Sequence, residues 1–432
     1  MSGQRYTIWN NSQSSKKKQG KKGYLITRIL VVSVGAILIL GLSVTPCPKV
    51  QLDESTRTEG LVSEIPFQLH GSLIITQLSI DKSAPLNFIF DTGAGATIIN
   101  EGTAASLCIV GDEIVSREGA TGMATIVRST DHMLDAGGLR FQDVTLGIAD
   151  IDRIERQLGM QIDGVIGWEI LSQYAVRVNY DTMLIEIYDN RRFAYDLGAI
   201  SHPIAVRGTV IFTNITVAFE SGNTFNGKVM VDTGSGNTFS FNTPFTEENN
   251  LLAEMDTYYE REIQSLSNET AHVYTTMIAA LNVGEYEFST LPASMAIAEA
   301  GALSWSGPMG ILGNGVLKHF NVFIDLQQKV MSLEPNRLYH DQFEVNCSGL
   351  ELVTDDAFQS VIIDHIYAGS PAEEAGLEAG DGIVQINGAN VSDFQLPQIK
   401  SMLSQDGQQV EILIDRDGEL DGYLFRLRPL ID

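Results

Sequence analysis

The chain has 432 residues, 44% of them hydrophobic and 19% charged, a composition that suits about three globular domains and excludes a mostly disordered protein. The net charge is −26, and it is unevenly spread: residues 1–52 carry Arg5, Lys16, Lys17, Lys18, Lys21, Lys22, Arg28 and Lys49 with no acid, so the rest holds 20 bases against 54 acids. That acidic surface repels phosphate backbones and excludes a nucleic-acid-binding role. The sparse Cys47, Cys108 and Cys347 and the seven scattered His offer neither a disulfide framework nor metal-ligand spacing, so no metal or other cofactor is expected.

In chain order, a basic tail over 1–23 precedes an apolar stretch, 24–48, whose residues 29–48 are uncharged. About 20 apolar residues span a bilayer core, and the lysines before them predict a cytoplasmic N-terminus. The expectation is a retained single-pass signal anchor with the bulk of the chain periplasmic or extracellular. A cleaved signal peptide is the competing reading, although no strong small-residue cleavage site follows. Residues 49–62 read as a linker.

Residues 63–335 contain a repeat. Pro66, Gly71, Asp91-Thr92-Gly93 and Val165-Ile166-Gly167 correspond in order to Pro203, Gly208, Asp232-Thr233-Gly234 and Ile311-Leu312-Gly313. The offsets, 137 for Gly71/Gly208, 141 for Asp91/Asp232 and 146 for Gly167/Gly313, are nearly constant. A duplicated unit follows, one half at 63–195 and the other at 196–335. Short alternating strands and few helical patterns predict an all-β, barrel-like architecture for each half.

One Asp-Thr-Gly is weak evidence, since Asp and Gly are common in turns. Two at equivalent places in a repeat, each after an apolar strand, call for a chemical reason. Paired carboxylates in a partly desolvated cleft share a proton, so one member can take a proton from water while the other polarises a carbonyl. Thr can tie the two loops together, and Gly lets the backbone turn beneath the acids.

These residues resemble aspartic proteases of the retropepsin/pepsin superfamily. Asp91-Thr92-Gly93-Ala94 is similar to the retroviral pattern, and Asp232-Thr233-Gly234-Ser235 to that of pepsin. The resemblance implies a bilobal double-β-barrel fold, a catalytic dyad of Asp91 and Asp232, and support from Thr92, Gly93, Thr233, Gly234 and Ser235. Because one chain carries both halves, a dimer is not required for catalysis. A hydroxyl on Ser235, absent from Ala94, leads us to expect Asp232 to be the more readily ionised acid. A flap is sought at Gly119-Ala120-Thr121-Gly122, on glycine content and position.

After a polar connector, Glu334–Glu344, residues 345–432 form a third unit. Ser370-Pro371-Ala372-Glu373 is a helix start with a capping box, Gly376 a helix stop, and Asn387-Gly388 a tight turn. The run Ser370-Pro371-Ala372, Ala375-Gly376-Leu377, Gly380-Asp381 and Asn387-Gly388 resembles the PDZ domain in its bacterial forms. In that family a peptide terminus adds as a strand beside the second helix, and loop amides hold its carboxylate. The matching loop is Gly349-Leu350-Glu351-Leu352, where Glu351 puts an acid near the expected carboxylate. The competing reading is a packing-only module.

The expected function is that of a membrane-anchored aspartic endopeptidase whose PDZ module takes substrate or partner peptides. The alternative is a catalytically silent peptide-binding adaptor that keeps the protease fold. With both Asp-Thr-Gly loops upstream of residue 335, the PDZ module is expected to be dispensable for cleaving short peptides.

Overall fold

A computed structural model describes residues 4–6, 60–191, 201–267 and 269–431. Among these no helix is long and apolar enough to cross a membrane; the expected span over 24–48 lies outside them. The architecture is almost entirely β, and the two longest described α-helices, Asp152–Leu158 and Leu396–Met402, have seven residues each.

The strand Leu61–His70 shows why. Its residues alternate between buried and exposed along most of its length, the period of a pleated ribbon with one face on a core. It begins inside the segment expected as a linker. Gly71, at φ +61°, turns it into Leu73–Ile80, and Gly208, at φ +60°, does the same between Ala205–Arg207 and Val210–Ala218. Glycine takes that left-handed conformation at no steric cost.

Each half folds its own sheet, and the halves meet on a shared floor. Six strands lie side by side there: Ser201–Pro203, Val330–Pro335, Phe320–Asp325, Ala175–Asn179, Leu184–Tyr188 and Leu61–His70. The seam is the antiparallel pairing of Val176–Val178 with Val322–Ile324. Across the same floor Arg177 reaches Glu186 of its own half at 3.2 Å and Glu334 of the other at 2.6 Å, all three largely buried. One core runs through both halves, with Phe88 and Phe90 on one side and Phe239 and Phe241 on the other.

The third unit has its own core, including Leu352, Ile363, Ile399 and Ile412. Ser370 caps the helix Pro371–Ala375 by accepting from the Glu373 amide at 3.2 Å, and Gly376 ends it at φ +91°. The expected box closes differently: the Glu373 carboxylate takes the Gly369 amide at 2.6 Å, because the Ser370 amide already donates to Tyr367. The edge strand Glu419–Arg426 is joined by Gln4–Tyr6 from the N-terminal tail.

The connector is not a free tether. Tyr339 packs its ring against Tyr286, Phe288 and Phe320, and Phe343 packs against Phe288 and His319. Polar composition had suggested a spacer; these two aromatic residues pin it to the second half.

Candidate active site

The strands Leu86–Phe90 and Thr224–Asp232 deliver Asp91 and Asp232 to the line where the halves meet. Each pairs in parallel with a short apolar strand, Gly164–Ile166, followed by Gly167, for the first and Gly310–Gly313 for the second. A side chain on Gly167 would run into the Asp91 carbonyl, and one on Gly313 into that of Asn237. The two apolar-Gly elements therefore thread tightly beneath the Asp-Thr-Gly loops.

The threonines lock the loops. Thr92 accepts from the Thr233 amide at 3.0 Å and donates to the Val231 carbonyl at 2.9 Å. Thr233 accepts from the Thr92 amide at 3.0 Å and donates to the Phe90 carbonyl at 2.9 Å. Both side chains are fully buried, so these four bonds meet little competition from water.

Above this lock the two carboxyls stand within hydrogen-bonding reach of each other. Asp91 accepts from the amides of Gly93 at 2.6 Å and Ala94 at 3.1 Å. Asp232 accepts from Gly234 at 2.9 Å and Ser235 at 3.1 Å. Burial raises the pKa of both. Asp232 rises well above the ordinary carboxylate range, because the Asp91 charge adds to its desolvation. Asp91 rises with more opposition, since a hydrogen bond from the Asp232 carboxyl, and then the amides of Gly93, Ala94 and Gly234, favour its charged form.

This reverses the order expected from Ser235. That residue serves Asp232 through its backbone amide, as Ala94 serves Asp91, so the hydroxyl confers no advantage there. The asymmetry comes instead from the pair itself: protonated Asp232 donates to Asp91 and favours the charged form there, so Asp91 is the acid that ionises more readily.

The carboxyls lie on the floor of a cleft of about 1180 Å³, whose apolar walls include Leu73, Ile126, Trp168, Met230 and Trp305. The segment Gly119–Gly122 is the tip of a hairpin made by Glu113–Glu118 and Met123–Ala136, and it reaches over this cleft. A second hairpin, Tyr259–Gln264 with Thr270–Val283, was not expected and covers it from the other half. The two tips are joined: the Thr121 hydroxyl lies 3.0 Å from those of both Ser265 and Ser267, and the Met123 amide donates to Glu269 at 3.1 Å. The Gly119 and Ala120 carbonyls accept from Ala302 and Leu303. The repeat contained the signal, since Glu113–Glu118 and Tyr259–Gln264 differ by 146 residues, the offset of Gly167 and Gly313. Without a glycine pair, the second tip lacked the feature that drew notice to the first.

The PDZ-loop residues lie apart from the acids. Leu350 and Leu352 point into the core of their unit, while Glu351 accepts from the Tyr367 hydroxyl at 2.7 Å. Gly349 has φ +85°. Among the described residues no group of His, Cys, Asp and Glu is arranged to hold a metal.

Comparison with known proteins agrees in two places. Residues 76–170 match the aspartyl protease family model, and residues 362–416 match that of the PDZ domain. No curated protein matches the chain. Among solved structures, the aspartic proteinase from Irpex lacteus is similar at 13% identity and a TM-score of 0.42, over 65% of this chain and 99% of that one. The chain thus combines an aspartyl protease domain with a PDZ domain.

Proposed function

We propose that the chain is an aspartic endopeptidase that hydrolyses peptide bonds with a water activated between Asp91 and Asp232. The observation that carries this reading is the pair of interlocked Asp-Thr-Gly loops, which hold two carboxyls together at the bottom of a peptide-sized cleft. Ionised Asp91, steadied by its amides, takes a proton from the water as the oxygen attacks the scissile carbonyl. Protonated Asp232 donates to the carbonyl oxygen as negative charge develops there. The proton gained by Asp91 then passes to the leaving amine, and the other returns to Asp232 as the carbonyl re-forms. Neither a side-chain nucleophile nor a metal takes part, and one chain supplies both acids.

The substrates in this reading are proteins or peptides, with the PDZ module handling a peptide or partner. A peptide-library digest tests it, run with wild type, Asp91→Asn and Asp232→Asn. Internal cleavage by wild type alone is expected. A folded Asn variant that cleaves like wild type would refute the role of the two acids, and wild type that cleaves nothing would favour the silent adaptor.

We further propose that residues 24–48 anchor the chain with its acidic bulk outside the cytoplasm, on the grounds of the basic tail and apolar span. Gln4–Tyr6 pairs with Glu419–Arg426 across that span, so the anchored form has to give up this edge strand. Protease added to spheroplasts should digest residues beyond 49; protection of that region would refute the topology.

A further inference from the structure

The PDZ unit does not stand apart from the rest of the chain. Its edge strand, Leu350–Thr354, pairs on one side with Val361–Ile366 and ends the sheet on the other. A peptide adding as a strand would need that open side, beside the helix Leu396–Met402. Peptidase residues already lie there. The Arg156 carbonyl accepts from the Thr354 hydroxyl at 3.3 Å, and the Gln157 carbonyl accepts from Lys400 at 3.1 Å. A Cβ on Gly159 would lie 2.8 Å from Leu396 and 3.1 Å from Thr354, so the backbone there is wedged between edge strand and helix. These carbonyls belong to the C-terminal turn of the helix Asp152–Leu158, where a lysine is electrostatically suited.

The carboxylate loop is occupied as well. The amides of Ser348 and Gly349 donate to the Asn346 side chain at 3.1 and 2.8 Å, and that of Leu350 to the Ser348 hydroxyl at 3.1 Å. Glu351 has Arg261 of the second cleft hairpin 3.8 Å away, and the rings of Tyr259 and Tyr367 lie 4.6 Å apart. Arg261 in turn reaches toward Asn237, in the loop after Asp232, at 3.4 Å. The other contact is tied to the same hairpin, because Arg153 of the helix donates to Gln264 at 2.6 Å.

We propose that the ligand of the PDZ groove is the peptidase of the same chain: the C-terminal end of helix Asp152–Leu158 fills the groove, Arg261 faces its loop, and the module thereby clamps the hairpin Tyr259–Val283 over the cleft. A peptide with a free C-terminal carboxylate reaches the groove only by displacing this contact. The module is then a brake on lid opening as well as a receptor. The effect on cleavage rests on the proposed peptidase reading; the occupancy of the groove does not.

The test uses the full chain. Gly159→Trp wedges the groove open from the peptidase side. Arg261→Glu places an acid opposite Glu351, and Arg261→Glu with Glu351→Arg restores opposite charges. Hydrogen–deuterium exchange over 350–354 and 396–402 should quicken at least tenfold in the first two variants and return toward wild type in the double variant. A pool of random decapeptides with free carboxyl ends should bind Gly159→Trp at least tenfold more tightly than wild type. Unchanged exchange in both folded single variants, or equal peptide binding by wild type and Gly159→Trp, would overturn the proposal. If Gly159→Trp fails to fold, the charge-swap series decides by whether exchange quickens and is rescued. Quickened exchange without any cleavage by wild type or variants would count against the peptidase reading and leave the clamp standing.

Discussion

Strand Glu113–Glu118 of the first half and strand Tyr259–Gln264 of the second hold equivalent places in their hairpins, yet they meet different surroundings. Ile114 of the first is 75% exposed, whereas Tyr259 and Arg261 of the second lie against Tyr367 and Glu351 of the PDZ unit. The Asp-Thr-Gly loops, by contrast, remain nearly interchangeable, with matching threonine bonds and matching pairs of amides on each acid. Duplication has therefore kept the floor of the cleft symmetric while its roof has diverged. What both halves must do together constrains both copies; what one copy can do alone is left to change.

The strongest challenge to that symmetry is removal of either acid. Asp91→Asn and Asp232→Asn should each lower kcat/KM for a peptide substrate by on the order of 10⁴-fold, and the double variant should be little worse, because the pair acts as one unit. A tenfold difference between the two singles would show that the floor is less symmetric than its bonds suggest.

The threonine lock should be nearly as even. Thr92→Ala leaves the buried Thr233 amide and Val231 carbonyl without their partner, and Thr233→Ala does the same to Thr92 and Phe90. Each should lose about 2–4 kcal/mol in urea unfolding, with serine at either position recovering most of it.

A pH experiment separates the acids. Above about pH 4 an unfolded chain has lost the proton of Asp232, while the folded one keeps it until its raised pKa is passed. The folded state thus binds more protons in that window, and stability falls as pH rises through it. Asp232→Asn should lose less stability than wild type between pH 4 and 7, read from urea midpoints. An equal loss would remove Asp232 as the proton holder. Cleavage should follow a bell whose two limbs report the loss of the shared proton and the gain of a second one by the coupled pair.

The roof should respond more mildly. Thr121→Val deletes the hydroxyl shared with Ser265 and Ser267, and we expect KM to rise about three- to tenfold with kcat close to wild type, since each lost bond is worth about 1 kcal/mol. Ser235→Ala should change kcat/KM less than about threefold, because the amide that serves Asp232 remains.

Much of this was legible in the sequence because it recurs or follows local rules. Asp91 and Asp232 stood out through the repeat, as did Gly71 and Gly208, and Ser370 to Gly376 through helix-end chemistry. Three features were not. The hairpin tip at Ser265–Ser267 has no glycine pair, so only its offset marked it. The acid order depends on how the two carboxyls share a proton across the seam, which residue identity does not encode. The seating of Arg156–Gly159 against Thr354 and Lys400 joins segments roughly 200 residues apart, using backbone carbonyls that every residue possesses.

The shared floor bears on how the chain could be divided. Ala175–Asn179 finds one neighbour within its own half and the other, Phe320–Asp325, across the seam. A fragment ending near residue 190 would therefore present a bare ladder edge, with Arg177 deprived of Glu334. Bare edges recruit strands from other molecules. Such a fragment should be sticky, pairing with itself or aggregating, and the missing half supplied in trans should compete for the edge and restore a soluble assembly.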